Sequence, residues 1–134
     1  RELWIGHRRL APAAASAALV DTGSTLIAAP ACAAEALAAA LGARARDDRP
    51  GLFSVPCAAS TWLPPVRLVL AGGAGGFAAQ SLATYEVSLP ARAYVLHDRF
   101  SVRAGGCVLA FTARRAGSVA QAVGSAAGAE DWIL

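Results

Sequence analysis

The hydrophobic pattern of the chain changes period along its length, and each change marks an element. Leu3, Trp4 and Ile5 lead to Gly6 and His7, and the chain returns through Arg8 and Arg9 to Leu10. An apolar run, a glycine-centred turn and a return run predict a hairpin. A second apolar run, Ala18-Leu19-Val20, meets the polar stretch Asp21-Thr22-Gly23-Ser24-Thr25, and apolar character resumes at Leu26-Ile27. Pro30 then precedes a run of strong helix formers over 31–41, closed by Gly42. Proline before the run and glycine after it predict a helix of about three turns. Leu37 and Leu41, four apart, share one of its faces.

Residues 44–50 are charged and aperiodic, which predicts a loop. From Leu52 the period becomes two. Residues 52–57 and 66–70 are strand candidates separated by a turn at Trp62-Leu63-Pro64-Pro65. The glycines of 72–76 predict a long hairpin connection, after which 85–89 alternates again and continues to Leu96. A strand over 102–111, interrupted by Gly105-Gly106, surrounds Cys107, and glycine-rich residues 117–128 lead to Trp132-Ile133-Leu134.

Composition narrows the function. With 134 residues, 56% hydrophobic and 16% charged, the chain suffices for one domain with a core. All twelve basic residues are arginine, which together with the abundant alanine reads as genomic composition bias. The net charge of +3 is small and the arginines are scattered, which disfavours nucleic acid as a partner. Arg8-Arg9 and Arg114-Arg115 read as solvated turn or edge charges. Arg8-Arg9 followed by 10–20 has the outline of a secretory leader, but the run is too short to span a bilayer and continues directly into Asp21. The chain opens on arginine, so a processed product or an excerpt is expected. The glycines of 72–76 lack the Gly-Lys-Ser/Thr ending of a phosphate loop. No serine lies in a Gly-x-Ser-x-Gly elbow, and His7 reads as an exposed turn residue.

The candidate chemistry lies at Asp21. Burying a carboxylate costs several kcal/mol unless donors surround it. Thr22, Gly23 and Ser24 supply hydroxyls and a bare backbone N–H beside it. Glycine also lets the chain turn sharply and a substrate backbone come close. Asp-Thr-Gly is equally ordinary turn chemistry. A solvated turn, however, has no need of apolar runs on both sides.

This string resembles the active-site loop of pepsin-like aspartic proteases, where Asp-Thr-Gly-Ser/Thr interrupts two buried strands. The order of features is similar to the C-terminal lobe of that family. Asp21 is followed by the helix over 31–41, the strand ending at Cys57, Leu63-Pro64 and the apolar strand 66–70. The glycine turn 72–76, tyrosine-rich strand 85–96, Cys107 and Trp132-Ile133-Leu134 complete it. The resemblance covers nearly the whole chain; the glycine-rich insertion before Phe77 and the alanine load depart from it. It implies a mainly β fold, a pepsin-like acid protease lobe that is half of a bilobal double-psi β-barrel-type fold, with one short helix after the active-site loop. Residues 1–134 would then be a C-terminal lobe lacking its N-terminal lobe and final strands.

The resemblance also implies roles. Asp21 would be catalytic, Thr22 would brace the loop against its mate, and Ser24 would hydrogen-bond the carboxylate. Gly23 and Thr25 would line the floor where substrate backbone lies. Cys57 and Cys107 would form the disulfide of the lobe, closing a loop of about fifty residues worth roughly 4 kcal/mol in the loop-entropy model. Such a bridge implies a secretory or vacuolar route. Cys32 is left over and is expected to be a buried or half-buried thiol, with pairing to an absent segment as the other reading. No C-x-x-C or clustered histidine accompanies it, so neither metal nor cofactor is expected.

Two carboxylates held about 3 Å apart share one proton, as in pepsin, so that one activates water while the other donates to the peptide carbonyl. No second Asp-Thr/Ser-Gly is present: Asp47, Asp48, Asp98 and Asp131 have loop-like surroundings, and no flap is evident. The isolated chain is therefore expected to be inactive. An N-terminal lobe of the same protein would be its partner and a polypeptide its substrate. A retroviral-type homodimer fits Ala-Leu-Val-Asp-Thr-Gly but not the cysteine pair, the length or the Trp-Ile-Leu ending. A catalytically inactive lobe binding protein or glycan, and a plain structural β-domain, are the other readings.

Overall fold

The computed structural model describes residues 2–10, 18–19, 23–71, 84–98, 106–114 and 132–133. In chain order the elements are β1 (Glu2–Ile5), β2 (Arg8–Leu10), β3 (Ala18–Leu19), β4 (Ile27–Pro30), α1 (Ala31–Ala40), β5 (Arg44–Ala45) and β6 (Phe53–Val55). A 3-10 turn (Cys57–Thr61) precedes β7 (Val66–Ala71), β8 (Thr84–Leu89), α2 (Ala91–Tyr94) and β9 (Val95–His97). The last are β10 (Cys107–Leu109), β11 (Phe111–Arg114) and β12 (Trp132–Ile133). The protein is mainly β, as expected of a pepsin-like lobe. Its described strands form three four-stranded sheets and no closed barrel.

The first sheet, ordered β2-β1-β7-β8, is antiparallel throughout and contains the expected hairpin. Alternation sends Leu3, Ile5, Leu10, Val66 and Leu68 into the core. The other face carries a charged ladder. Arg9 pairs with Glu2 at 3.0 Å, the Trp4 indole N–H donates to Glu2, and the Arg67 guanidinium lies 5.1 Å from the Trp4 ring centre. Arg8 and Arg9 are exposed on an edge strand, and His7 is exposed in the turn. At the opposite edge, register places Tyr85, Val87 and Leu89 across from Leu70, Leu68 and Val66. Tyr85 is nevertheless 60% exposed, so alternation here does not bring burial.

The second sheet runs β5-β6-β10-β9. Chain then passes through Ala110 into the third sheet, ordered β11-β4-β12-β3. The N–H of Ala110 donates to the Tyr94 carbonyl and its own carbonyl accepts from Ile27, both at 2.7 Å. Tyr94 and Phe111, both fully buried with ring centres 5.8 Å apart, fill the core beside this junction. Burial pushes the Tyr94 phenol up to about 12 while its hydroxyl donates to the Pro64 carbonyl at 2.6 Å.

Helix α1 ends as its sequence dictates. Gly42 takes φ +68°, its N–H donates to the Ala39 carbonyl, and Ala43 donates to Ala38. This is the Schellman arrangement that satisfies a helix's last carbonyls. Ala33, Ala34, Leu37, Ala38 and Leu41 form the buried stripe. Cys32 is exposed, contrary to the expected buried or half-buried thiol. At 100° per residue it falls about 170° from the centre of that stripe, so the helix turns it to solvent.

Two further expectations are corrected. Arg44–Ala45 is not loop but a short strand on β6, with Ala45 opposite Phe53. The continuous strand expected over 85–96 is broken by the single turn α2, which starts after Pro90, where proline suits a helix start. Residues 72–76, 115 and 117–128 lie outside the described residues.

Candidate functional site

The sequence places its chemistry between β3 and β4. Asp21 and Thr22 lie outside the described residues, whereas Gly23, Ser24 and Thr25 are described and exposed. The segment is anchored at both ends in the third sheet. β12 pairs in parallel with β3, Ile133 opposite Leu19, and antiparallel with β4, Ile133 opposite Ala28. β3 and β4 therefore run antiparallel with another strand between them, roughly 10 Å apart at two strand spacings. The landmark Trp132-Ile133 is thus the strand separating the two that bracket Asp21.

Beyond the segment, β4 lies between β12 and β11, with Phe111 opposite Ile27 and Ala28 opposite Thr112. α1 follows β4 without a break, Pro30 serving as its cap residue at φ −49° and ψ 140°. The Ile27 N–H is already bound to Ala110. The exit of the segment is therefore fixed by a strand on each side and a helix behind it.

Two other described aspartates, Asp48 and Asp98, are engaged elsewhere. Arg46 reaches Asp98 with one guanidinium nitrogen and Asp48 with two others, at 2.9 and 2.5 Å. The Asp98 side chain is 4% exposed and that of Asp48 61%. Hydrogen bonding to Arg46 holds the Asp48 carboxyl below its ordinary value. The guanidinium is in turn pushed up, by Asp48 first and Asp98 second, and stays charged at every pH of interest. A proton-sharing pair needs two carboxylates facing one another; Asp48 and Asp98 face a cation. Asp131 lies outside the described residues.

Cys57 and Cys107 form a disulfide with their Cα atoms 5.0 Å apart, joining the 3-10 turn to β10. Sequence reading did not foresee His97 beside it. The imidazole Nδ1 is 3.6 Å from Cys107 Sγ and 3.9 Å from Cys57 Sγ. The signal was in the pairing, since Cys107 stands directly across the ladder from His97. Among the described residues no helix is long and apolar enough to cross a membrane.

Comparison with known proteins agrees with this architecture. No curated protein matches the chain significantly. The family model of the eukaryotic aspartyl proteases matches residues 2–128, which takes in Asp21, both disulfide cysteines and all but the last of the described strands. With nearly the whole chain covered, the protein belongs to the eukaryotic aspartyl protease family.

Proposed function

We infer that this chain supplies one half of the catalytic centre of an aspartic endopeptidase, with Asp21 as its carboxylate. Membership of the aspartyl protease family is the observation that carries this reading. The Asp-Thr-Gly-Ser string at 21–24 and the anchoring of both its flanks in one sheet support it. The partner carboxylate belongs to an N-terminal lobe of the same protein. The pair shares one proton across a bound water. The ionised member takes a proton from that water as it attacks the peptide carbonyl, and the protonated member donates to the carbonyl oxygen. Thr22 braces the loop, Ser24 hydrogen-bonds the Asp21 carboxylate, and Gly23 and Thr25 receive the substrate backbone. The substrate is a polypeptide, and the disulfide fits a secreted or vacuolar protein.

Asp21→Asn keeps the shape of the side chain and removes its titrating proton. In the full-length protein it is expected to lower kcat for a denatured protein substrate at acid pH by on the order of 10²–10⁴-fold. Circular dichroism should be unchanged. Full activity in the variant would refute the role of Asp21. Binding of a protein or glycan without cleavage, by wild type and variant alike, would establish an inactive lobe instead.

A further inference from the structure

The first sheet treats its two edges differently. β2 is three residues long and carries Arg8 and Arg9. A short, charged edge discourages further pairing. β8, at the opposite edge, has six residues and one charge, Glu86. It is the longest of the six edge strands that the three described sheets present. Among the described residues no strand pairs with its outer side. The core stops one strand short of it. Register puts Val87 across from Leu68, yet Leu68 is 3% exposed and Val87 37%. Tyr85, on the same face, is exposed as well. A long, apolar, unpaired edge is a template for another strand.

We propose that β8 pairs antiparallel with β8 of a second copy across a two-fold axis, joining the two first sheets into one of eight strands. The strand is complementary to itself in one register. A two-fold axis normal to the sheet keeps the inner face inner, so the residue on the axis faces its own copy. The middle of the strand offers Glu86 or Val87 for that place. Glu86 on the axis would set two carboxylates directly opposite, which is unfavourable. Val87 on the axis sets Tyr85 against Leu89 of the second copy, an apolar row on the inner face. On the outer face Glu86 then stands opposite Ser88 of the second copy, whose neighbour on β7 is Arg67. Within one copy Arg67 already reaches Glu86 at 3.4 Å. In the pair, Arg67 of the second copy lies two strand spacings, roughly 10 Å, from Glu86 with only a serine between them. Each carboxylate thus gains a second cation. One strand edge is small beside the about 1,200 Å² of a stable interface, so the association is weak and fills at high concentration. The flanks of Asp21 lie in the third sheet, so this inference does not depend on that residue's role.

The test uses the full-length polypeptide in sedimentation equilibrium from micromolar to millimolar concentration. The expected result is a reversible monomer–dimer equilibrium. Val87→Lys, which sets two ammonium groups opposite one another on the axis, should abolish it. Val87 is part exposed, so this variant should keep the wild-type circular dichroism. Register is read by crosslinking in a Cys32→Ser background. Val87→Cys should oxidise in air to a covalent dimer, because residues facing across the axis hold their Cβ atoms about 4.5–5.5 Å apart. Ser88→Cys should not, since it faces position 86 of the second copy. A monomer at every concentration would overturn the proposal, as would a dimer that persists in Val87→Lys. Crosslinking through Ser88→Cys instead of Val87→Cys would do the same. So would outward-facing β8 amides protected from hydrogen exchange equally in dilute and concentrated samples, the mark of another strand of the same molecule on this edge.

Discussion

Arg46 holds two carboxylates in different surroundings, Asp98 almost fully buried and Asp48 largely exposed. Arg46→Met keeps most of the aliphatic stem and removes the charge, so Asp98 stays buried without its guanidinium. Hydrogen bonds to charged groups are among the stronger ones, so a lower urea midpoint is expected near neutral pH. The pH dependence has a definite sign. Arg46 lowers the Asp48 carboxyl below its ordinary 3.8, so its stabilisation is present above that pH. It is lost as pH falls through the lowered value. The stability gap between wild type and Arg46→Met should therefore narrow below about pH 4. A gap that is constant from neutral to strongly acid pH would show that the pair does not titrate with folding. At this scale the sequence was informative about charge but not about contact. Asp48 and Asp98 were separable from Asp21 by their loop-like surroundings, whereas their common partner lies 50 or so residues from one of them and only folding reveals it.

Glycines separate what a turn needs from what a neighbour allows. Gly42 and Gly51 both have positive φ, +68° and +92°. A Cβ at Gly42 would meet nothing within 4 Å, whereas one at Gly51 would stand 2.9 Å from the Ala113 carbonyl oxygen. The Gly51 carbonyl also accepts from the Ala113 N–H and the Thr112 hydroxyl, so this backbone cannot move without breaking its tie to β11. Gly42→Ala is expected to destabilise by about 1–2 kcal/mol, the handedness penalty alone. Gly51→Ala should destabilise by clearly more, with a lower urea midpoint. Equal effects would mean that the contact with β11 is dispensable. Elements with punctuation were legible in the sequence. Pro30 and Gly42 bounded α1 almost to the residue, and Gly6 placed the hairpin. β5 and α2 were not, because two residues of strand and one turn of helix carry too little pattern to show periodicity. Their existence comes from tertiary pairing, β5 against β6 and α2 beside the 3-10 turn. Cys32 was legible in principle, since the stripe of Leu37 and Leu41 already turns it outward.

At the scale of the whole molecule, the third sheet joins the segment's flanks to the end of the described chain. β3 and β4 pair with opposite sides of β12, so Asp21 is flanked by strands held in a fixed relation to each other. The sequence holds one Asp-Thr-Gly, and sharing a proton requires two carboxylates about 3 Å apart. Under the proposed function, the second carboxylate comes from what docks against the chain. Purified alone, the chain is expected to cleave no denatured protein at any pH. Mixed with a separately produced N-terminal lobe carrying its own Asp-Thr/Ser-Gly, it should gain acid-pH cleavage that saturates at one lobe per chain. The Asp21→Asn chain should dock equally and give no cleavage, which separates a lost catalytic group from a lost interface. Sedimentation of the active species decides between the two ways of making a pair. A one-to-one heterodimer supports the two-lobed enzyme, whereas activity in the chain alone at twice its mass would replace it with a homodimer built from two copies of Asp21.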